Sequence, residues 1–196
     1  MFYNELMKNK RIILGMVGHA SGGKDTAAEY IASKYNFIHV STGDLLRDYI
    51  EKNDLGEPTR DVMQTVANRL RAEYGADFLV IKAMASKSNK DIVISGLRNP
   101  SEARSIHDSG GKLIVVNASP EIRHARAELR NRPGDSLDFS AFTGQQRTEE
   151  DSDDPNAQNL NAVFALADEF IENNTTLEDL HTKIDKYMKV VLRQKT

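Results

Sequence analysis

Ile12-Ile-Leu-Gly-Met-Val17 is followed by Gly18-His19-Ala20-Ser21-Gly22-Gly23-Lys24-Asp25-Thr26, and then by Ala27-Ala-Glu-Tyr-Ile-Ala-Ser-Lys34. The first block reads as a short apolar strand, the second as a glycine-rich turn, the third as the opening of a helix. That order is what a backbone needs in order to cradle phosphates. Unpaired N–H groups at a helix start, backed by the helix dipole, stabilise the several negative charges of a phosphate chain. Glycines let the backbone close on the oxygens where a Cβ would collide. Lys24 adds a point charge for the outer phosphates. A glycine-rich turn with an incidental lysine is the plainer alternative, and the flanking strand and helix weigh against it.

Outward from this block, short apolar runs alternate with segments of helical period. Candidate strands are 12–17, 37–40, 91–95, 112–117 and 169–172, rich in the bulky and β-branched residues that suit strands covered on both faces. In 59–74 the residues Val62, Val66, Leu70 and Tyr74 recur every four positions, with Gly75 as a stop. The last segment repeats Leu177, Leu180, Ile184, Tyr187 and Val191, and Thr175 with Glu178 has the spacing of a capping box. Both stripes read as core-facing. The pattern predicts an α/β protein with a mainly parallel sheet, organised as one domain over 1–196. Two stretches, 53–59 and 131–154, read as mobile, solvated connections; the second includes the acidic run Glu149-Glu-Asp-Ser-Asp-Asp154.

Composition narrows the partners. With 196 residues, a net charge of −3, 39% hydrophobic and 28% charged residues, the chain has an ordinary globular make-up. It lacks the general basic field of a nucleic-acid binder, so no nucleic-acid partner is expected. Cysteine is absent, which excludes disulfides, thiolate zinc sites and thiol nucleophiles. No apolar run reaches membrane-spanning length and the opening residues show no leader pattern, so a cytoplasmic protein without a membrane partner is expected. None of the five histidines has metal-ligand spacing; His19, inside the loop, is expected to face solvent.

One position in the loop is unusual. The residue after Lys24, ordinarily a hydroxyl that binds magnesium, is Asp25, and the hydroxyl follows at Thr26. Asp25 and Thr26 are therefore the candidate metal ligands.

Beyond the loop the chain resembles a family. Ser41-Thr42-Gly43-Asp44-Leu-Leu-Arg47 is similar to the Ser-Thr-Gly-Asp-x-Leu-Arg stretch of adenylate kinases, whose loop also carries the shifted hydroxyl. The resemblance implies that Thr42 and Arg47 contact an acceptor nucleotide, with Asp44 beside them; a hydroxyl and a guanidinium one helical turn apart can grip a monophosphate. The plain alternative is an N-cap Thr42 and a solvated Arg47. Ser95-Gly96-Leu-Arg98 looks like the Asp-Gly-x-Arg segment of nucleotide kinases and of kinase-like archaeal proteins, which implies Arg98 on the acceptor phosphate. Ser95 stands where that pattern has its acid, so Asp25 or Asp44 would have to substitute near magnesium.

Arg123, Arg126 and Arg130 fall three and four apart on one helical stripe, with Ile122, Ala125 and Leu129 expected on the buried one. A solvated basic face offset by Glu121 and Glu128 is the bland reading. The Arg-x-x-x-Arg of Arg126 and Arg130 is like the start of the lid in adenylate and dephospho-coenzyme A kinases, which implies that both neutralise the transferring phosphoryl group. Arg147 is a weaker candidate of the same kind. Ala167-Asp168 to Asn173 is similar to the closing Ala-Asp-x-x-Ile-x-Asn stretch of such kinases.

The resemblance implies a doubly wound five-stranded parallel sheet of the P-loop fold, with an acceptor-binding insertion near 42–88 and a lid near 131–150. It implies a kinase using ATP and Mg2+ to phosphorylate a small-molecule nucleotide, with Lys24, Arg98, Arg126 and Arg130 as catalytic residues and residues 18–26 on the donor. Dephospho-coenzyme A kinase is one alternative, and a P-loop ATPase or nucleotide-binding switch without a small acceptor is another.

Overall fold

The computed structural model describes residues 11–85, 89–130 and 138–193. Five strands, β1 (Ile13–Val17), β2 (Ile38–Ser41), β3 (Ile92–Ser95), β4 (Lys112–Asn117) and β5 (Glu169–Glu172), form one sheet in the order β2-β3-β1-β4-β5 with every pairing parallel. Between them run α1 (Lys24–Tyr35), α2 (Thr42–Lys52), α3 (Arg60–Tyr74), α4 (Phe78–Met84), α5 (Pro100–Asp108), α6 (Pro120–Arg130), α7 (Phe139–Glu150), α8 (Leu160–Phe164) and α9 (Leu177–Arg193). The five strands lie where the apolar runs predict them, to within a residue at each end.

Alternate residues of the central strands feed two cores. On one face Leu14, Met16, Val93, Ile114 and Val116 meet Ala28 and Ile31 of α1 and Leu180, Ile184 and Met188 of α9. On the other, Ile13, Ile92, Ile94, Leu113 and Val115 meet Val80, Ile106, Leu160 and Val163. Each such Leu or Ile truncated to Ala would cost about 2–5 kcal/mol. A third, separate cluster of Leu46, Ile50, Val66, Ala67 and Leu70 holds α2 against α3.

Two stripe details differ from expectation. Tyr74 is 55% exposed and stacks on Phe78, because Gly75 turns the chain immediately after it. In α9 the cap is Thr176, whose Oγ1 accepts from Asp179 N, while Thr175 bonds the Asp179 side chain; Leu177 is left exposed and Met188 takes a core place. Among the described residues no helix is long and apolar enough to cross a membrane.

The pairings align the carboxyl ends of the strands. Met16 and Ser41 both sit opposite Ser95, and Val17 opposite Val115. The turns after β1, β2, β3 and β4 therefore open on one edge, with the order reversing about β1, which is where ligands of open α/β sheets bind.

Candidate phosphate loop and acceptor cavity

Residues 18–23 turn tightly between β1 and α1, with Gly22 N donating to His19 O at 3.1 Å. A Cβ on Gly18 would stand 2.1 Å from the Val116 carbonyl oxygen, and one on Gly23 2.1 Å from Asn173 Nδ2. Gly23 also has φ +100, a left-handed conformation that costs a side-chain-bearing residue about 1–3 kcal/mol. No side chain caps α1, so its first N–H groups are left for a ligand. Ser21, at φ 60, holds a buried Oγ with no partner among the described residues. Uncapped amides, an unused hydroxyl and a lysine at one turn fit a phosphate chain.

Three side chains hold this loop from outside. Asn173 donates from Nδ2 to Gly22 O at 3.0 Å, and its own carbonyl accepts from Arg126 Nη2 at 3.0 Å. Asn117 donates from Nδ2 to His19 Nδ1 at 3.0 Å, which places the imidazole hydrogen on Nε2, where it faces Glu150 Oε1 at 3.2 Å. His19 is 6% exposed and lies edge-on to Phe164, so it does not face solvent as the sequence suggests. Burial, reinforced by the charge of Arg123, holds its pKa below the ordinary value against the opposing pull of Glu150.

Lys24 and Asp25 open α1 side by side, Nζ to Oδ2 at 3.0 Å. Asp25 Oδ1 accepts from Ser95 Oγ at 2.7 Å, and Ser95 Oγ lies 2.9 Å from His39 Nε2. The carboxylate of Asp25 thus reaches the strand end at which the family pattern has its acid. Burial would raise the Asp25 pKa, but Lys24 and the Ser95 hydroxyl outweigh it and the group falls to about 2. It is an anion at neutral pH, as a divalent-cation ligand must be. Lys24 itself is buried, which lowers its pKa, with Asp25 opposing. Thr26 is exposed on the first turn of α1. Among the described residues no three acidic, histidine or cysteine side chains cluster as a metal cage, so a cation here would be held chiefly by phosphate oxygens together with Asp25.

Beside Lys24 and Asp25 opens a cavity of 590 Å³ walled by α2, α3 and the turn after β3. Thr42, Arg47, Arg98 and Arg130 all line it with Lys24. The Thr42 hydroxyl donates to Gly96 O at 2.9 Å, and the cap of α2 is Ser41, which accepts from Asp44 N. Asp44 pairs with Arg47 and does not itself line the cavity. Arg98 is aimed by Glu102, whose buried carboxylate accepts from the backbone N–H of Arg98 at 2.6 Å and of Asn99 at 3.0 Å. The other Glu102 oxygen pairs with buried Arg71.

The arginine helix is turned differently from its predicted face. Arg123 and Ala127 are the buried residues of α6, whereas Leu129 is 87% exposed and Ala125 is exposed too. Arg123 can be buried because Nε donates to Ala118 O at 2.8 Å, and its aliphatic stem serves as the apolar part. Arg126 reaches Asn173 beside the phosphate loop, so it sits on the donor side and only Arg130 reaches the cavity. Of the lid expected over 131–150, residues 131–137 lie outside the described residues. The remainder is no solvated connection: α7 buries Phe142, Gln146 and Glu149, while Arg147 is exposed and outside the cavity wall.

Sequence reasoning missed Arg60 and Glu149. Glu149 is 4% exposed and bridges Arg98 Nη1, at 2.6 Å, and Arg60 Nε, at 2.9 Å. Both arginines line the cavity. Within an acidic run nothing marks one carboxylate as buried, so its signal lay only in its place on the helix face shared with Phe142 and Gln146.

Comparison with known proteins agrees with this geometry. A family model described as "AAA domain" matches residues 17–139. A UPF0200 protein of Methanocaldococcus jannaschii is 27% identical over 187 residues, covering 92% of this chain and 91% of that protein. An adenylate kinase of Prochlorococcus marinus is 37% identical over 142 residues, covering 66% of this chain and 73% of the enzyme. Among solved structures, the shikimate kinase of Acinetobacter baumannii in complex with shikimate superposes with a TM-score of 0.57 at 13% identity, over 95% of this chain and 96% of the other, a likeness of fold alone. The phosphate loop, the strand order and these matches together make the chain a member of the AAA domain family, within the superfamily of P-loop kinases that resemble nucleoside monophosphate kinases.

Proposed function

We propose that the chain transfers the γ-phosphate of ATP to a small phosphate-bearing acceptor, a nucleoside or deoxynucleoside monophosphate before others. The observation that carries this reading is the 590 Å³ cavity that opens directly beside Lys24 and is lined by Arg47, Arg60, Arg98 and Arg130. A site for water alone needs no such volume and no such charge.

The chain's part in the reaction is positioning and charge neutralisation. The loop amides and Lys24 hold the donor phosphates, with Arg126 on the donor flank. Arg98 and Arg130, both on the cavity wall, are proposed to neutralise the transferring phosphoryl group. Thr42 and Arg47 hold the acceptor, and the apolar side chains of Leu46, Met63 and Leu79 in the same wall suit a base or similar flat group. No general base is required, because a monophosphate acceptor is already an anion. Magnesium bound with the triphosphate would neutralise phosphate charge, and Asp25 would be the carboxylate that holds it. α7, the described part of the expected lid, is proposed to help exclude water from the site.

The test is coupled ADP release from Mg-ATP across nucleoside and deoxynucleoside monophosphates and dephospho-coenzyme A. Release should rise at least about tenfold with one monophosphate over the acceptor-free rate. Stimulation by dephospho-coenzyme A alone would move the acceptor assignment. A rate that no acceptor raises would leave an ATPase or switch and sink the kinase reading.

A further inference from the structure

A cavity that must take an anion already contains one. The two oxygens of Glu149 face two different guanidiniums of its wall, Oε2 toward Arg98 and Oε1 toward Arg60. Arg60 opens α3 and its Nη1 donates to Gln145 Oε1 at 3.1 Å, so both arms of the contact are oriented by α7. One carboxylate oxygen on each of two arginines uses the donors that two oxygens of a phosphomonoester would use. The side chains of Arg60 and Arg98 are each 19% exposed, so a ligand in the cavity can reach them, whereas Glu149 at 6% is the more enclosed partner.

Charge decides which ligands can take its place. The cavity wall carries Lys24, Arg47, Arg60, Arg71, Arg98 and Arg130. Arg71 is paired with Glu102, Arg47 with Asp44 and Lys24 with Asp25, while Glu149 faces both Arg60 and Arg98; Glu57 and Arg130 also lie on the wall. A phosphomonoester brings about two negative charges at neutral pH where Glu149 brings one. The exchange therefore favours a dianionic phosphoryl group over a monocarboxylate or a neutral ligand.

We propose that Arg60 and Arg98 form the clamp for the acceptor phosphate and that Glu149 is an internal competitor, displaced only by a dianion. Glu149 is then a specificity residue, and Arg60 an acceptor-binding residue beyond the motif residues. This inference rests on the reading of the cavity as the acceptor site. Glu149 lies on the last turn of α7, next to the exposed Asp151 and Asp153, so that end of the helix can carry the released carboxylate into water.

Equilibrium binding without ATP tests it, using adenosine 5′-monophosphate and inorganic phosphate as probes and calorimetry as the readout. Glu149→Gln should bind both probes about tenfold more tightly than the native chain, since the competitor is removed. Arg60→Gln should bind them about tenfold more weakly. Affinities left unchanged or weakened by Glu149→Gln overturn the proposal, and so does failure of both probes to bind either protein. If the variants do not fold, the native chain answers: the side-chain carboxyl carbon resonance of Glu149 should move on saturation with a probe, and a resonance that stays in place overturns the proposal. Acceptor-stimulated ADP release alongside unchanged Glu149→Gln affinity would remove the clamp and keep the kinase. Tighter Glu149→Gln binding with no stimulated release would do the reverse.

Discussion

Arginines on the two flanks of the site are held by different kinds of partner. On the donor flank Arg123 bonds the carbonyl of Ala118 and Arg126 that of Asn173, and each keeps a buried Nη1 without a hydrogen-bond partner among the described residues. On the acceptor flank Arg98 and Arg60 share the carboxylate of Glu149, and Arg71 takes that of Glu102. A carbonyl orients a guanidinium and leaves its charge intact; a carboxylate orients it and cancels the charge. Beside the phosphate loop, then, the two guanidiniums are oriented by carbonyls among the described residues. On the acceptor flank the charge of Arg60 and Arg98 is freed when Glu149 yields.

Lys24 belongs to both flanks, and removing it should have the largest effect. Lys24→Ala is expected to lower acceptor-dependent ADP release by roughly a thousandfold or more, as loss of a central phosphate cation does. A variant that keeps a tenth of the native rate would show that the loop is not the donor site.

The difference in partners can be measured as stability. Arg98→Met should cost about 3 kcal/mol because it leaves Glu149 buried and half-paired. Arg126→Met should cost about 1 kcal/mol, the loss of one bond to a carbonyl. Urea denaturation reads both, and Glu149→Met added to Arg98→Met should restore most of the loss. Equal costs for the two single variants would erase the distinction between the flanks.

Arg47 lines the cavity, paired with Asp44, and its removal should act on binding alone. Arg47→Ala is expected to raise the acceptor's KM about tenfold with little change in kcat. An unchanged KM would take Arg47 out of the acceptor site.

The smallest effect concerns His19, which links the phosphate loop to α7 through Glu150. Burial and Arg123 hold it below 6.5 in the folded chain, while the unfolded chain protonates near 6.5. The unfolded state thus binds the proton more readily, so stability is full above pH 6.5 and falls as the pH drops through that value. His39 shifts the same way through burial, so His19→Gln should flatten the decline only in part. A slope that His19→Gln leaves untouched would mean that the imidazole titrates alike in the folded and unfolded chains.

The sheet and the loop were readable because both rest on local patterns: five apolar runs, and glycines where a Cβ has no room at Gly18 and Gly23. The residues that tie the flanks together were not. Glu149 looks like its acidic neighbours in sequence and becomes distinct only when Arg60, 89 positions away, folds against it. His19 was assigned to solvent because the partners that bury it, Asn117 and Glu150, come from β4 and α7. On α6 the apolar residues predicted the wrong face, because the carbonyls that make burial of Arg123 and proximity of Arg126 tolerable belong to Ala118 and Asn173. Polar burial depends on distant partners, and hydrophobic periodicity does not record them.

The hold of Asn173 on the phosphate loop bears on how the protein is made. Gly22 and Asn173 are 151 positions apart, and Asn173 follows the last strand. On the ribosome the glycine turn emerges early, yet its clamp is not complete until β5 has been synthesised and has paired with β4. The contacts that hold the loop are therefore complete only in a chain whose sheet has closed through β5.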